Sequence, residues 1–126
     1  TGMGLTPSEM TDNMTITLKH FNGSHSVINY FANGNKAFSK ERFEIYSQGR
    51  NLTIDNYRRM QGYGFGGFSK MKGTQDKGHN EQFKRYTNFV ANGGEPLIPY
   101  NQLMNVSLAT LKALESFREG RVIAIS

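Results

Sequence analysis

Two adjacent residues, Asn22-Gly23, constrain this chain more than any other feature of its sequence. They separate two runs with apolar alternation, Met14-Thr-Ile-Thr-Leu-Lys-His-Phe21 and Ser24 to Ala32. Asn-Gly between such runs is a strong short-range β-hairpin signal, because a two-residue turn of this kind needs positive φ at both positions. That turn sets Phe21 opposite Ser24 and Leu18 opposite Val27. One face then carries Met14, Ile16, Leu18, His20, His25, Val27, Asn29 and Phe31. The other carries Thr15, Thr17, Lys19, Ser24 and Ser26, and ends in Ile28 and Tyr30. A hairpin here leaves no room for a helix after the first strand.

The rest of the chain extends this start. Residues 1–13 are rich in Gly, Thr, Pro and Ser and read as an irregular lead-in. Asn33-Gly-Asn35 ends the second strand. Phe43 and Ile45 alternate in one run, Leu52 and Ile54 in the next, with Gln48-Gly49 at the turn. Four strands without an intervening helix make an antiparallel meander. Gly62-Tyr-Gly-Phe-Gly-Gly-Phe68 is a strand, a loop, or both. A first helix is expected from Lys77 to Asn92, with Asp76 as N-cap and Gly93 as C-cap. Its stripe is His79, Phe83, Tyr86 and Val90, with Phe89 at the edge. A second is expected from Asn101 to Glu119, with one wide apolar face of Leu103, Val106, Thr110, Leu111, Ala113, Leu114 and Phe117. Gly120 stops it, and Arg121-Val-Ile-Ala-Ile125 closes as a strand. The expected fold is α+β: an open, mostly antiparallel β-sheet with two helices packed on one face, forming one domain over residues 14–126.

Composition removes several function classes. With 37% hydrophobic and 20% charged residues, the chain is suited to one packed domain rather than to global disorder. There is no apolar run long enough for a membrane helix and no visible signal peptide. Without cysteine there is no disulfide framework, thiol chemistry or Cys-ligated zinc. That fits a reducing compartment, and the cytoplasm is the expected location. The chain opens on Thr1 rather than Met, which reads as a piece excised from a longer protein.

The net charge of +5 is unevenly placed. Between Asp55 and Asp76 there is no acidic residue, while Arg58, Arg59, Lys70 and Lys72 fall there. Two motif strings lie in this stretch. Gly62-x-Gly64-x-x-Gly67 matches the dinucleotide fingerprint, but that chemistry needs a helix to follow, so that the phosphates meet its N-terminus. Phe68-Ser-Lys-Met-Lys offers no such helix. Gln61 to Phe68 also approaches the RNP1 strand, whose aromatics stack on bases. A basic single-stranded nucleic-acid-binding module is therefore the alternative reading, and the hairpin argues against it, since an RNP1 domain has a helix after its first strand. His20 and His25 are expected to lie opposite each other at an exposed hairpin end, without a third metal ligand. No Ser/His/Asp spacing or carboxylate pair stands out. The sequons at Asn13, Asn22, Asn51 and Asn105 read as chance.

A resemblance enters through an ordered set of segments. They are Thr15-Ile-Thr-Leu-Lys, Asn22-Gly-Ser, Ile28-Asn-Tyr-Phe-Ala-Asn-Gly34, Lys40-Glu-Arg-Phe-Glu-Ile-Tyr46 and Leu52-Thr-Ile-Asp-Asn-Tyr57. After them come Gln75-Asp-Lys-Gly-His79, Gly93-Gly-Glu-Pro-Leu-Ile-Pro99, Ala113-Leu-Glu-Ser116 and Gly120-Arg-Val-Ile. In this order they resemble the carboxy-terminal domain of the Gfo/Idh/MocA oxidoreductases, in a bacterial branch of sugar-pathway dehydrogenases.

The resemblance implies a substrate-binding and dimerisation domain that follows a Rossmann domain absent from this chain. NAD or NADP belongs to that missing domain, as does the family's Glu-Lys-Pro lysine. This chain therefore contributes no catalytic residue and is expected to be inactive alone. The implied substrate is a sugar or cyclitol derivative. Lys77 and His79 match a family segment near the active-site side, and Tyr63 and Phe65 are expected to wall the same site. Self-association is expected as a homodimer through the sheet, at the hairpin face that ends in Ile28 and Tyr30.

Overall fold

The computed structural model describes residues 13–125. The expected lead-in therefore lies outside the described residues, except for Asn13, which opens the first strand. In order, the elements are β1 (Asn13–Lys19), β2 (His25–Phe31), β3 (Arg42–Ser47), β4 (Arg50–Asp55), β5 (Arg59–Tyr63), β6 (Lys70–Lys72), α1 (His79–Asn92) and α2 (Tyr100–Glu119). The fold is α+β and every strand pairing is antiparallel. The expected single meander is instead two sheets, β1-β2 and β3-β4-β5-β6. They belong to two compact units, one joining residues 13–34 to 98–125 and the other spanning 35–97.

In the first unit the hairpin forms where Asn22-Gly23 places it, but its register is one residue away from the expected one. Lys19 pairs with His25, and Leu18 pairs with Ser26 rather than Val27. The connection is a three-residue loop. Gly23 N–H donates to the His20 carbonyl at 3.0 Å, and His20 N–H to the Ser24 carbonyl at 2.8 Å. Gly23 alone takes positive φ, at 84°, which is the bulged loop geometry and not the two-residue primed turn. Asn22 instead accepts hydrogen bonds from Ser24 N–H and Ser24 Oγ, at 3.1 and 2.7 Å. A one-residue slip exchanges faces along a strand. Ile28 and Tyr30 thereby join Met14, Ile16 and Leu18, while Val27 and Phe31 join the threonines.

The α2 helix ends at Gly120, whose φ of 63° is costly for any side chain. Its sheltered side keeps Ala113, Leu114 and Phe117 of the expected face and adds Leu108 and Ala109. Leu103, Val106, Thr110 and Leu111 are exposed, and the partly covered residues are 108–109 and 112–117. There Ala109, Ala113 and Phe117 line an apolar cleft of about 780 Å³ together with β1 residues 14–18 and with Val122, Ile123 and Ile125. Residues 121–125 follow the cleft without forming the expected closing strand.

In the second unit the β3–β4 turn is the two-residue kind. Ser47 pairs with Arg50, and Gln48 and Gly49 both have positive φ, at 50° and 72°. The register sets Phe43 opposite Ile54 and Ile45 opposite Leu52, as the alternation predicts. Extending the ladder to β5 and β6 gives a two-faced sheet. Phe43, Ile45, Leu52, Ile54, Met60 and Met71 lie on one side. Arg42, Glu44, Asp55, Arg59, Lys70 and Lys72 lie on the other.

The α1 helix begins at His79, two residues later than expected. Asp76 Oδ1 takes the Gly78 N–H at 2.7 Å in a local turn, and Gly78 has a φ of 77°, so the helix cannot extend upstream. Gly93 closes it as expected, donating to the Phe89 carbonyl at 2.8 Å. Its stripe stays open, with Phe83 at 69% exposure. No apolar side chain is buried anywhere among the described residues, and neither helix buries a residue.

Candidate functional site at the turn end of the four-stranded sheet

The β4–β5 connection is the most strained piece of backbone described. Asn56 and Tyr57 both have positive φ, at 49° and 54°, and neither is glycine. A tyrosine in this region costs of order 1 kcal/mol and persists only where its surroundings over-determine it. Four contacts do so. Arg58 N–H donates to the Asp55 carbonyl at 2.9 Å, and Asn56 N–H to the Glu41 carbonyl at 2.7 Å. Gly73 N–H donates to the Arg58 carbonyl at 2.9 Å. The Tyr57 ring tilts against Phe43 with 5.7 Å between centroids.

Lys77 belongs to this end of the sheet. Its Nζ lies 3.9 Å from Glu41 Oε1, and Gln75 Nε2 donates to Asn56 Oδ1 at 3.0 Å. The segment 75–79, which enters α1, is thereby tied to the strained turn. His79 is the first helical residue and is exposed. Glu41, Asn56, Tyr57 and Gln75 were not singled out from the sequence. The one signal available was Asn-Tyr between two strand ends, where Asn tolerates positive φ.

Tyr63 and Phe65 do not join this site. Tyr63 ends β5 opposite Asn51, four residues along the strand from Arg59, or roughly 13 Å away. Phe65 lies at that far end too, under the Arg50 guanidinium at 5.7 Å and edge-on to Phe68 at 6.1 Å. Both phenylalanine rings crowd the face of Gly62 that a Cβ would occupy, with Phe68 Cδ1 2.7 Å from that position. Gly62 stands opposite Leu52, on the apolar side, whereas Tyr63 is on the polar side. The aromatics of this stretch therefore do not share one stacking face. Gly64, with φ at 76°, lets the loop approach the Gly49 carbonyl, 2.7 Å from where a Cβ would sit.

Gly62 and Gly64 thus serve close packing, while Gly67 takes a φ of 82° in open space. Gly62 lies within β5, Gly64 and Gly67 lie in the loop after it, and that loop leads into β6 rather than a helix. The segment does not fit NAD or NADP, whose pyrophosphate needs a helix N-terminus.

No protein family, curated protein or solved structure matches this chain.

The polar face of the sheet has its own charge arrangement. Glu44 Oε1 accepts from Arg42 Nε at 3.0 Å and from Arg42 Nη2 at 2.6 Å, and Glu44 Oε2 accepts from the Tyr46 hydroxyl at 3.0 Å. The Arg42 and Tyr46 hydrogen bonds hold the Glu44 carboxyl below its ordinary pKa. The same carboxylate raises that of the Tyr46 phenol. The histidines do not face each other as expected, because the register pairs His25 with Lys19, and His20 Nε2 meets Ser26 Oγ at 2.7 Å instead. No group of His, Asp or Glu suited to a metal ion occurs among the described residues, and no described helix is long and apolar enough to cross a membrane.

The cleft in the first unit differs in kind. Its polar members already have partners: Ser116 Oγ donates to the Arg121 carbonyl at 2.6 Å, and Lys112 pairs with Glu115 at 2.7 Å. Apolar walls with internally satisfied polar groups resemble an open packing surface more than a polar ligand site.

Proposed function

We propose that this chain is the carboxy-terminal substrate-binding and dimerisation part of an NAD(P)-dependent oxidoreductase acting on a sugar or cyclitol derivative, and that it is inactive alone. The observation that carries the reading is the uncovered apolar surface of both units, with no described apolar side chain buried. Burial of apolar surface is the main favourable term in folding, so a chain with 37% hydrophobic residues and no apolar side chain buried among its described residues presents faces suited to cover by further protein. A preceding nucleotide-binding domain and a second copy supply that cover. The ordered segments from Thr15 to Ile123 support the Gfo/Idh/MocA family as the source of such a layer.

In this reading NAD or NADP, bound by a preceding domain, would supply the hydride chemistry. This chain binds and orients the substrate, which is what positions a reacting carbon for transfer. Lys77 and His79 make the contacts, and the braced turn at Asn56 and Tyr57 fixes the segment that bears them. The homodimer forms over the apolar hairpin face, where Ile28 is 48% and Tyr30 63% exposed.

The test compares residues 1–126 with the full-length gene product, using NAD(P)H formation on a panel of sugars and cyclitols. Turnover by the longer protein and none by the shorter is expected. Turnover by residues 1–126 alone would overturn the reading. In the longer protein, Lys77→Met and His79→Gln should raise KM with little change in kcat, and unchanged kinetics would remove both from the site. Ile28→Asp with Tyr30→Asp should convert the dimer to a monomer in light scattering.

A further inference from the structure

The basic stretch between Asp55 and Asp76 becomes a face in the folded chain. Arg59, Lys70 and Lys72 lie on the polar side of β5 and β6, with Arg59 directly opposite Lys72 and Gln61 opposite Lys70. Directly opposed like charges weaken a ladder. Among the described residues none of these three cations has an ion pair. The nearby carboxylates do not neutralise them. Glu44 is committed to Arg42 and Tyr46. Asp55 stands opposite Arg59 without pairing with it, and its Oδ1 is shut off from solvent with no hydrogen-bond partner. The β3 half of the face is thus balanced and the β5–β6 half is not.

The dimensions narrow what such a face takes. The free cations span one strand spacing, about 4.8 Å, by one two-residue step, about 6.7 Å. That is the footprint of one sugar ring with its acid group rather than a track for a polymer. Only Tyr63 adds an aromatic on this side of β5, since Gly62, with Phe68 and Phe65 against it, faces the other side.

We propose that Arg59, Lys70 and Lys72 bind the oxyanion group, a carboxylate or a phosphate, of an acidic sugar. The proposal rests on the oxidoreductase reading and narrows its substrate class. Arg59 offers a planar fork to two oxygens, and the lysines act as point charges. Gln61 and the Tyr63 hydroxyl share the face and serve the ring hydroxyls.

The experiment is calorimetric titration of the full-length protein with glucuronate, glucose 6-phosphate, glucose and a ten-residue oligothymidylate. It is run on the wild type, on Lys70→Ala/Lys72→Ala, on Arg59→Lys, and on Lys36→Ala/Lys84→Ala as a charge control. Circular dichroism checks folding. At least one acidic sugar should bind about tenfold or more tighter than glucose, the usual scale for hydrogen bonds to a charged group. The double lysine variant should lose that preference, Arg59→Lys should weaken it, and the control should keep it. Preference for glucuronate alone identifies a carboxylate, and preference for glucose 6-phosphate alone a phosphate. Equal affinity for acidic and neutral sugars, no binding of any sugar, or tight binding of the oligonucleotide alone would overturn the proposal. NAD(P)H formation is read on the same samples. Turnover without acid preference sinks the anion site only, and acid preference without turnover on any sugar sinks the oxidoreductase reading.

Discussion

The two tight hairpins, β1–β2 and β3–β4, teach opposite lessons about how a strand register is chosen. Asn22-Gly23 has the better residues for a two-residue primed turn, yet the chain takes a three-residue loop there. Gln48-Gly49 has a worse first residue, yet it adopts the two-residue turn with Gln48 at positive φ. The strands decide the difference. In β3 and β4 the large aliphatic residues fall on one side only, so one register brings Phe43, Ile45, Leu52 and Ile54 together. In β2, Val27 and Phe31 alternate with Ile28 and Tyr30, so either register buries something. A strand that is apolar on both faces leaves its register weakly specified. The choice then passes to the loop, where Asn22 caps Ser24 instead of turning to positive φ.

This comparison can be broken experimentally, and the largest effect is expected in the second unit. Gly64→Ala places a Cβ 2.7 Å from the Gly49 backbone carbonyl at a φ of 76°. It should cost about 2 kcal/mol in urea unfolding. Gly62→Ala should cost less, because its obstacle is the movable ring of Phe68. Gly23→Ala meets nothing within 4 Å and should cost about 1 kcal/mol for its φ alone.

The register difference has a sharper test, made clean by the absence of native cysteine. Thr17→Cys with Val27→Cys should crosslink on mild oxidation, because these residues are directly opposite. Leu18→Cys with Val27→Cys should not, and the reverse result would restore the two-residue turn. Smaller still, Gln48→Asn should stabilise the second hairpin by about 0.5 kcal/mol, since Asn accepts positive φ more readily.

The smallest effect concerns pH and lies at the surface of β3. Arg42 holds Glu44 below its ordinary pKa, so the stabilisation from this contact is present above the unfolded carboxyl pKa and is lost as pH falls through the folded one. Tyr46 runs the other way: its raised pKa means that its contribution is lost as pH rises through the folded value. In Glu44→Gln the ultraviolet titration of Tyr46 should shift back toward the ordinary phenol range.

Much of the fold was legible because local chemistry sets it. The positions of both tight turns, the two-residue geometry of the second, the alternation of β3 and β4, and the stops at Gly93 and Gly120 all follow from residues adjacent in sequence. What differs depends on competing side-chain bonds and packing partners that periodicity does not show. The start of α1 moved because Asp76 bonds to Gly78 rather than capping the helix. The carboxy-terminal half of the expected α2 face, Ala113, Leu114 and Phe117, is sheltered, while Leu103, Val106 and Leu111 of the same face stay exposed, because Ala109, Ala113 and Phe117 line the cleft with β1. The site shows the same division. Lys77 and His79 could be singled out, but the pairing of Lys77 with Glu41 and the bracing of Asn56 by Gln75 bring together residues far apart in the chain. Tyr63 and Phe65 looked like neighbours of that site because the Gly-rich string hides a strand end and a change of face.

Calorimetric unfolding of residues 1–126, at dilute and at high concentration, tests the central claim most directly. A chain whose described apolar side chains are all left at least partly uncovered should show no cooperative transition as a dilute monomer. Cooperativity should appear only as copies associate or when further protein covers these faces. A sharp, concentration-independent two-state transition of the monomer would contradict the account, because it would mean that the open apolar faces need no cover.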